Sequence, residues 1–312
     1  MKTYLFDPAP EGHRTTWIWA VPVLVFVLFI AGQLLVLLPA KFLGQITKEA
    51  IETYPTVLYL VIGTFSMVAV LFFLWIRLFE RRSLASAGTA IGTSTTRNYV
   101  RGYLYGLLMA AAVVYAVRWL GGYSVESPAN IVVADLGPVV ILMFAFMLQS
   151  FTEEFVFRGW MMGRIAERFG LVAGVVGNSI LFTLMHVDAE KLQSIGASGV
   201  VIFVSGTLLF SIFLSLLVIH ERSVWGAAAW HASWNWMFIT WFGLPTTGIE
   251  LGLAPLVADY MPTPDAAVWL TGGADGPEGS VFMPVVLALG CFAVAWFGLR
   301  RSSTTQRNFA VE

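Results

Sequence analysis

Two adjacent glutamates, Glu153 and Glu154, lie within an apolar stretch of the sequence, and Arg158 follows the second of them by four residues. A carboxylate at membrane depth costs about 2.5–3.5 kcal/mol on insertion scales, and two neighbouring carboxylates also repel each other. Such a pair needs a cation, a shared proton, a metal ion or a water-filled cavity. Because Glu154 and Arg158 are four residues apart, a helix places both side chains on one face, where they can pair.

Two histidines in apolar surroundings lie further along the chain. His186 follows Phe182 by four residues, and His231 precedes Asn235 by four residues. At this spacing a helix stacks the two side chains of each pair on one face. Any one of these pairs alone is typical of a packing residue or a structural ion pair. Their combination on successive apolar helices indicates a polar site within a membrane, with the candidate residues Glu153, Glu154, Arg158, His186, His231 and Asn235.

The composition indicates the elements that must position these residues. Of the 312 residues, 58% are hydrophobic and only 12% are charged, whereas soluble domains carry about 25% charged residues. About 20 apolar residues span a bilayer core of about 30 Å as a helix. Eight charge-free runs are candidates for such spans: 15–40, 53–76, 102–117, 137–151, 169–185, 192–220, 223–249 and 279–299. We therefore predict an all-α, polytopic membrane protein with about eight transmembrane helices, forming a single integral membrane domain over residues 1–312.

The distribution of Lys and Arg predicts the orientation of these helices. With the N-terminus inside, fourteen of the 18 basic residues fall on the inner side, and only Lys41, Lys48, Arg118 and Lys191 fall outside. Basic residues are enriched in cytoplasmic loops, so we expect a bacterial-type plasma membrane protein with both termini in the cytoplasm. The expected partners are membrane lipid and a membrane-associated protein or peptide substrate, and no basic patch beyond these loops suggests nucleic acid. The single cysteine, Cys291, excludes a disulfide framework and a cysteine-based metal site.

The three motifs EExxxR, FxxxH and HxxxN occur complete and in this order at Glu153–Arg158, Phe182–His186 and His231–Asn235. In this respect the chain resembles the CPBP family of intramembrane proteases, which includes the CAAX-processing endopeptidases and many bacterial relatives. The resemblance covers about residues 137–243, which we take as the catalytic core. It implies an intramembrane endopeptidase that hydrolyses peptide bonds of membrane-associated or prenylated-type protein substrates.

The resemblance also implies a role for each candidate residue. Glu153 and His186 would activate a water molecule, Glu154 would be held by Arg158 and orient the site, and the oxyanion would accept hydrogen bonds from His231 and Asn235. A zinc-dependent mechanism remains an alternative, with Glu153, His186 and His231 as the zinc ligands. We favour a site without a cofactor, because no further carboxylate is left to orient both histidines behind a metal ion.

Two other classes of function are compatible with polar residues inside a membrane. An ion-coupled transporter also uses intramembrane Glu, His and Arg, but the sequence shows no inverted repeat and no pair of helices interrupted by Gly and Pro. A non-catalytic regulatory or immunity protein would have no need of the complete set of three motifs. We therefore expect an enzyme.

Overall fold

The computed structural model describes residues 5–8, 10–44, 55–187, 195–246 and 251–309. After Trp296 it describes only the backbone, except at Gly298. Three of the basic residues used for the orientation, Lys2, Lys48 and Lys191, lie outside these ranges. The described residues are predominantly helical and form ten α-helices. They are α1 (Ala20–Phe42), α2 (Thr56–Leu74), α3 (Thr95–Trp119), α4 (Leu136–Glu154), α5 (Met162–Phe169), α6 (Leu171–Met185), α7 (Gly196–Glu221), α8 (Trp225–Phe242), α9 (Val268–Thr271) and α10 (Phe282–Phe309).

Each of the eight charge-free runs contains a helix in the described residues, so the predicted all-α membrane fold is confirmed. The count of eight spans is not confirmed. Six helical segments of the described chain are long and apolar enough to cross a membrane, and α6 is a shorter apolar helix. The remaining helix, α8, is buried along nearly its whole length, because the other helices surround it.

The described residues also form one small two-stranded antiparallel sheet. Strand β1 (Tyr123–Pro128) pairs with β2 (Ala258–Pro262) in a register that sets Tyr123 opposite Pro262, with a bulge between Val125 and Ser127. The Tyr123 hydroxyl donates a hydrogen bond of 2.5 Å to the carbonyl of Thr271. Burial raises the pKa of this phenol above its ordinary value. The sheet therefore ties the end of α3 to the segment between α8 and α10.

Two glycines of α3 determine how closely it approaches α8. A Cβ atom at Gly102 would overlap the carbonyl of Gly226, and one at Gly106 would overlap the Ser233 hydroxyl and the Trp230 carbonyl. Small residues at a four-residue spacing let membrane helices approach to backbone contact. The lack of a side chain at Gly102 and Gly106 of α3 therefore sets the position of α8, which carries His231 and Asn235.

The helix that carries the two glutamates continues as a π-helix. Residues Phe155–Met161 adopt this wider turn, and all seven are buried. A Cβ atom at Gly159 would overlap the carbonyl of Ala87, and the Trp160 indole donates a hydrogen bond of 3.1 Å to Glu80. Single π-helical turns within α-helices are frequent at functional sites. Here the wider π-helical turn shifts the helical register at Arg158.

One face of the molecule brings together segments that the Lys and Arg pattern assigned to the inner side. Arg82, which follows α2, pairs with Glu167 of α5 at 2.9 Å, and Arg164 pairs with the same carboxylate at 2.7 Å. The backbone N–H of Arg14 donates to the carbonyl of Glu80 at 2.9 Å. The N-terminal segment, the turn after α2 and the hairpin of α5 and α6 therefore lie together.

We predict that Gly106→Ala lowers the free energy of unfolding by about 1–3 kcal/mol, the usual cost of forcing a methyl group into a packed contact. The matched control is Gly137→Ala in α4, where a Cβ atom would have no neighbour within 4 Å. Thermal melts in detergent measure both variants. Equal melting temperatures for the two would contradict the close approach of α3 and α8.

Candidate active site

The Glu154 carboxylate lies at the centre of the polar residues. It is fully buried, and its Oε1 accepts hydrogen bonds from Arg158 Nη1 at 3.1 Å and from His231 Nδ1 at 2.9 Å. The Arg158 guanidinium is also fully buried and lies over the ring of Phe182, 4.1 Å from its centroid. One carboxylate therefore joins α4 and the π-helical turn to α8, and the guanidinium extends this contact to α6.

The hydrogen-bond partners of the two histidines assign their tautomers. His186 Nδ1 lies 2.8 Å from the carbonyl oxygen of Phe182, which can only accept, so this nitrogen carries a proton. His231 Nδ1 carries a proton for the same reason, because its partner is the Glu154 carboxylate. Contacts with aromatic rings hold both imidazoles: Phe182 lies 4.3 Å from His186, and Phe210 lies 4.9 Å from His231. In each imidazole, Nε2 remains for chemistry.

A cavity of about 290 Å³ brings together four of the six sequence-predicted residues, Glu153, His186, His231 and Asn235. Adjacent residues on a helix point about 100° apart. This is why Glu153 lines the cavity while Glu154 turns to Arg158 behind it. The rest of the wall is mainly apolar and is formed by Val57, Leu58, Val61, Phe65, Leu142, Ala145, Phe146, Phe182, Phe203, Phe210, Leu251 and Met283.

Five further polar residues line this cavity, and the sequence analysis did not identify them: Gln149, Thr207, Thr246, Asp275 and Glu278. The Gln149 amide donates to Glu153 Oε1 at 3.2 Å. Gln149 lies within the charge-free run 137–151 and four residues before Glu153, and this position was a signal available in the sequence. Asp275 and Glu278 gave no such signal, because they lie some forty residues after His231 in what reads as a surface loop.

The alternative zinc site was tested against the arrangement of these side chains. In the described ranges, no three side chains of His, Cys, Asp or Glu come close enough together to hold one metal ion. The Nδ1 atoms of the two histidines donate to Glu154 and to the Phe182 carbonyl, which are partners of the kind that orient metal-bound histidines, so the expected lack of such partners is not a reason against zinc. Glu153, His186 and His231 line the same cavity, but as arranged here they do not come close enough together to form a three-ligand zinc centre.

We predict that Arg158→Ala destabilises the protein by about 3–5 kcal/mol, because it leaves the Glu154 carboxylate buried without its cationic partner. The double variant Glu154→Gln with Arg158→Met removes both charges and should recover much of that loss without recovering activity. Thermal melts in detergent measure both, and Arg168→Ala is the control, since this arginine is exposed on the neighbouring helix. A melting temperature unchanged by Arg158→Ala would contradict the buried pair.

Comparison with known proteins adds an independent observation. Residues 135–237 match the family model described as Rce1-like, type II CAAX prenyl endopeptidase. No curated protein matches the sequence. The matched segment runs from the start of α4 into α8 and contains all six candidate residues, from Glu153 to Asn235. This match over about a third of the chain supports the assignment to the CPBP, or CAAX-type, family of intramembrane proteases that the three motifs suggested.

Proposed function

We propose that this protease hydrolyses peptide bonds of membrane-associated or prenylated-type proteins with a water molecule that Glu153 and His186 activate. The observation that supports the proposal most strongly is the cavity itself. It is lined by Glu153, His186, His231 and Asn235 together with mainly apolar side chains. In the proposal, residues 137–243 form the catalytic core of a single membrane domain.

The assigned tautomer of His186 suits it to act on water together with Glu153. Its Nδ1–H donates to the Phe182 carbonyl, so Nε2 of the neutral ring is an acceptor. A water molecule that donates one hydrogen to the Glu153 carboxylate and the other to this nitrogen directs its oxygen lone pair at the carbonyl carbon of the substrate. The C–O bond forms as one of the two acceptors takes a proton, and the same proton passes to the leaving amine when the C–N bond breaks.

His231 and Asn235 would stabilise the oxyanion that this attack creates. The Asn235 amide is a donor in every protonation state, and Nε2 of His231 is a donor when the imidazole is doubly protonated. The carboxylate of Glu154 fixes the orientation of the His231 ring through the 2.9 Å bond to Nδ1, and Arg158 fixes that carboxylate in turn. Each preorganised oxyanion donor is worth about 2.7–4 kcal/mol of transition-state stabilisation.

The proposed mechanism includes no metal ion, because Glu153, His186 and His231 are not arranged closely enough in the described residues to hold one. It also differs from the transporter and regulatory alternatives in requiring acid–base chemistry at two named residues. Glu154 and Arg158 act as positioning residues, since neither lines the cavity: Glu154 contacts His231, and Arg158 contacts Glu154.

We also propose that the face with Arg82 and Arg164 is cytoplasmic, in a bacterial-type plasma membrane, because most of the Lys and Arg residues belong to that side. In a Cys291→Ser background, a cysteine replacing the exposed Glu126 in β1 should react with an impermeant maleimide added to intact cells. A cysteine replacing the exposed Ser94, in the loop after α2, should react only after the membrane is opened. The reverse labelling pattern would contradict this orientation.

We predict that Glu153→Gln and His186→Ala each reduce hydrolysis of a membrane peptide by at least about 100-fold, because general acid–base groups contribute roughly 10²–10⁴-fold. The melting temperature in detergent should stay close to that of the unmodified protein. Glu126→Gln and His13→Ala are matched controls outside the site. The measurement is cleavage of a fluorescently labelled peptide by purified protein, together with elemental analysis of the same preparation.

Two results would overturn this assignment. One is near-normal turnover by either variant at normal expression. The other is stoichiometric zinc in the active protein, with activity lost to a chelator and restored only by a metal ion, because zinc would then replace the proposed acid–base pair in activating the water.

A further inference from the structure

The active-site cavity follows one face of α4 for about three helical turns. Leu142, Phe146, Gln149 and Glu153 line it, and their spacing of three or four residues places them on one face of the helix. Ala145 also lines the cavity. Leu142 lies eleven residues before Glu153, which corresponds to a rise of about 16 Å at 1.5 Å per residue. The cavity therefore extends along α4 for about 16 Å from the proposed reaction centre.

A second set of lining residues, on α2, follows the same direction. Leu58, Val61 and Phe65 line the cavity at spacings of three and four residues. The hydroxyl of Thr152, the residue before the first glutamate, lies 3.3 Å from the carbonyl oxygen of Phe65. At the other end, Leu58 packs against the hydrophobic cluster that contains Leu142. The two helices therefore run side by side along the cavity, and Phe65 lies level with the glutamate.

The lining that these two helices supply is polar at one end and apolar at the other. Gln149 and Glu153 form the polar end. The lining residues of both helices that lie further from Glu153 are all apolar, and we call them the apolar groove: Val57, Leu58, Val61, Leu142, Ala145 and Phe146. The groove ends at Leu142. One turn earlier, the Trp236 indole of α8 donates to the carbonyl of Val139 at 2.9 Å, so α8 covers α4 there. The groove thus has a defined length.

We propose that the apolar groove selects the substrate by the polarity of its sequence: an extended segment whose third to fifth residues from the cleaved bond, on one side, are apolar. This inference rests on the proposed function. An extended chain advances about 3.3 Å per residue. Its third residue therefore reaches Phe146, about 10 Å along α4 from Glu153, and its fifth residue reaches Leu142, about 16 Å along. The first two residues lie beside Gln149.

Two physical arguments support a segment that is both extended and apolar. In the proposed function, the carbonyl of the cleaved bond accepts hydrogen bonds from His231 and Asn235, so it is not available to a helical N–H of the substrate. Lipid solvates an apolar side chain as well as the groove does, so the selection acts against polar residues. A polar side chain in the groove loses its hydrogen bonds to water or lipid headgroups without gaining a partner.

The test uses one apolar host peptide in nanodiscs, in which Gln replaces a single Leu at each of the first eight residues on either side of the cleaved bond. We expect kcat/KM to fall at least about fivefold for Gln at the third to fifth residues on one side, and to change little from the sixth residue onward. The loss should appear in KM rather than in kcat, because contacts remote from the cleaved bond bind substrate and transition state alike. Peptide binding to the Glu153→Gln variant should show the same pattern.

Variants that shorten the groove assign this pattern to its residues. Ala145 lies eight residues before Glu153, a rise of about 12 Å, so Ala145→Phe should abolish the Gln penalty at the fourth and fifth residues and keep it at the third. On α2, Val61 lies about one turn from the level of the glutamate, so Val61→Phe should abolish the penalty at all three residues. The matched controls are Ile141→Phe in α4 and Ile62→Phe in α2. Both of these side chains are exposed and lie outside the cavity lining, so the pattern should not change.

The readout does not depend on how much of a variant is folded. Each penalty is a ratio of kcat/KM values measured within one variant, so a smaller folded fraction does not change it. Ala145→Phe and Val61→Phe lie on different helices, so either variant keeps the test informative if the other does not fold.

The possible outcomes separate this inference from the proposed function. If Gln is tolerated at every position, or if the penalty recurs every three or four residues as in a bound helix, and cleavage still depends on Glu153, the inference is wrong and the protease assignment stands. A pattern that survives both Ala145→Phe and Val61→Phe also overturns the inference. If no peptide is cleaved but the peptides bind with the expected pattern, the inference is supported and the proposed hydrolysis fails. If the peptides are neither cleaved nor bound, both fail.

Discussion

The organisation of the site depends on one buried carboxylate, that of Glu154, which is shared between a guanidinium and an imidazole. In an apolar bundle, an unpaired charge at this depth is costly, and Arg158 compensates it at 3.1 Å. The same oxygen accepts a hydrogen bond from His231 at 2.9 Å. The requirement to pair the charge therefore also determines how the imidazole is oriented. The Glu154 oxygen whose charge Arg158 compensates is also the oxygen that orients His231, the proposed oxyanion donor.

The backbone around this carboxylate is adapted to bring three helices together. Glycines at positions 102 and 106 let α3 touch the backbone of α8, and Gly159 lets the π-helical turn touch the carbonyl of Ala87. The wider π-helical turn begins immediately after Glu154, where the register of the helix decides the direction of Arg158. These close backbone contacts depend on glycine, because an added Cβ atom at any of the three positions would push the elements apart.

The cavity combines an apolar wall with a few polar atoms whose hydrogen-bond roles are complementary. The two histidines have their Nδ1 atoms committed to fixed acceptors, and their Nε2 atoms remain for water or substrate. Glu153, in contact with Gln149, supplies the carboxylate. An apolar bundle excludes bulk water, so each of these electrostatic interactions is stronger than it would be in solution. The enclosed site is therefore compatible with hydrolysis within a membrane.

The sequence by itself determined the all-α membrane class, because charge-free runs of this length satisfy their backbone hydrogen bonds only as helices in lipid. It also singled out Glu154 with Arg158, since their spacing alone places them on one helix face. Only the tertiary structure decided that Glu154 contacts His231, 77 residues away, that π-helical geometry follows Glu154, and that Asp275 and Glu278 line the same cavity. The physical reason is the range of the interactions. Helical periodicity is local and can be read from neighbouring residues, whereas contacts between helices depend on glycine packing and on loops that fold back, and no short pattern encodes these.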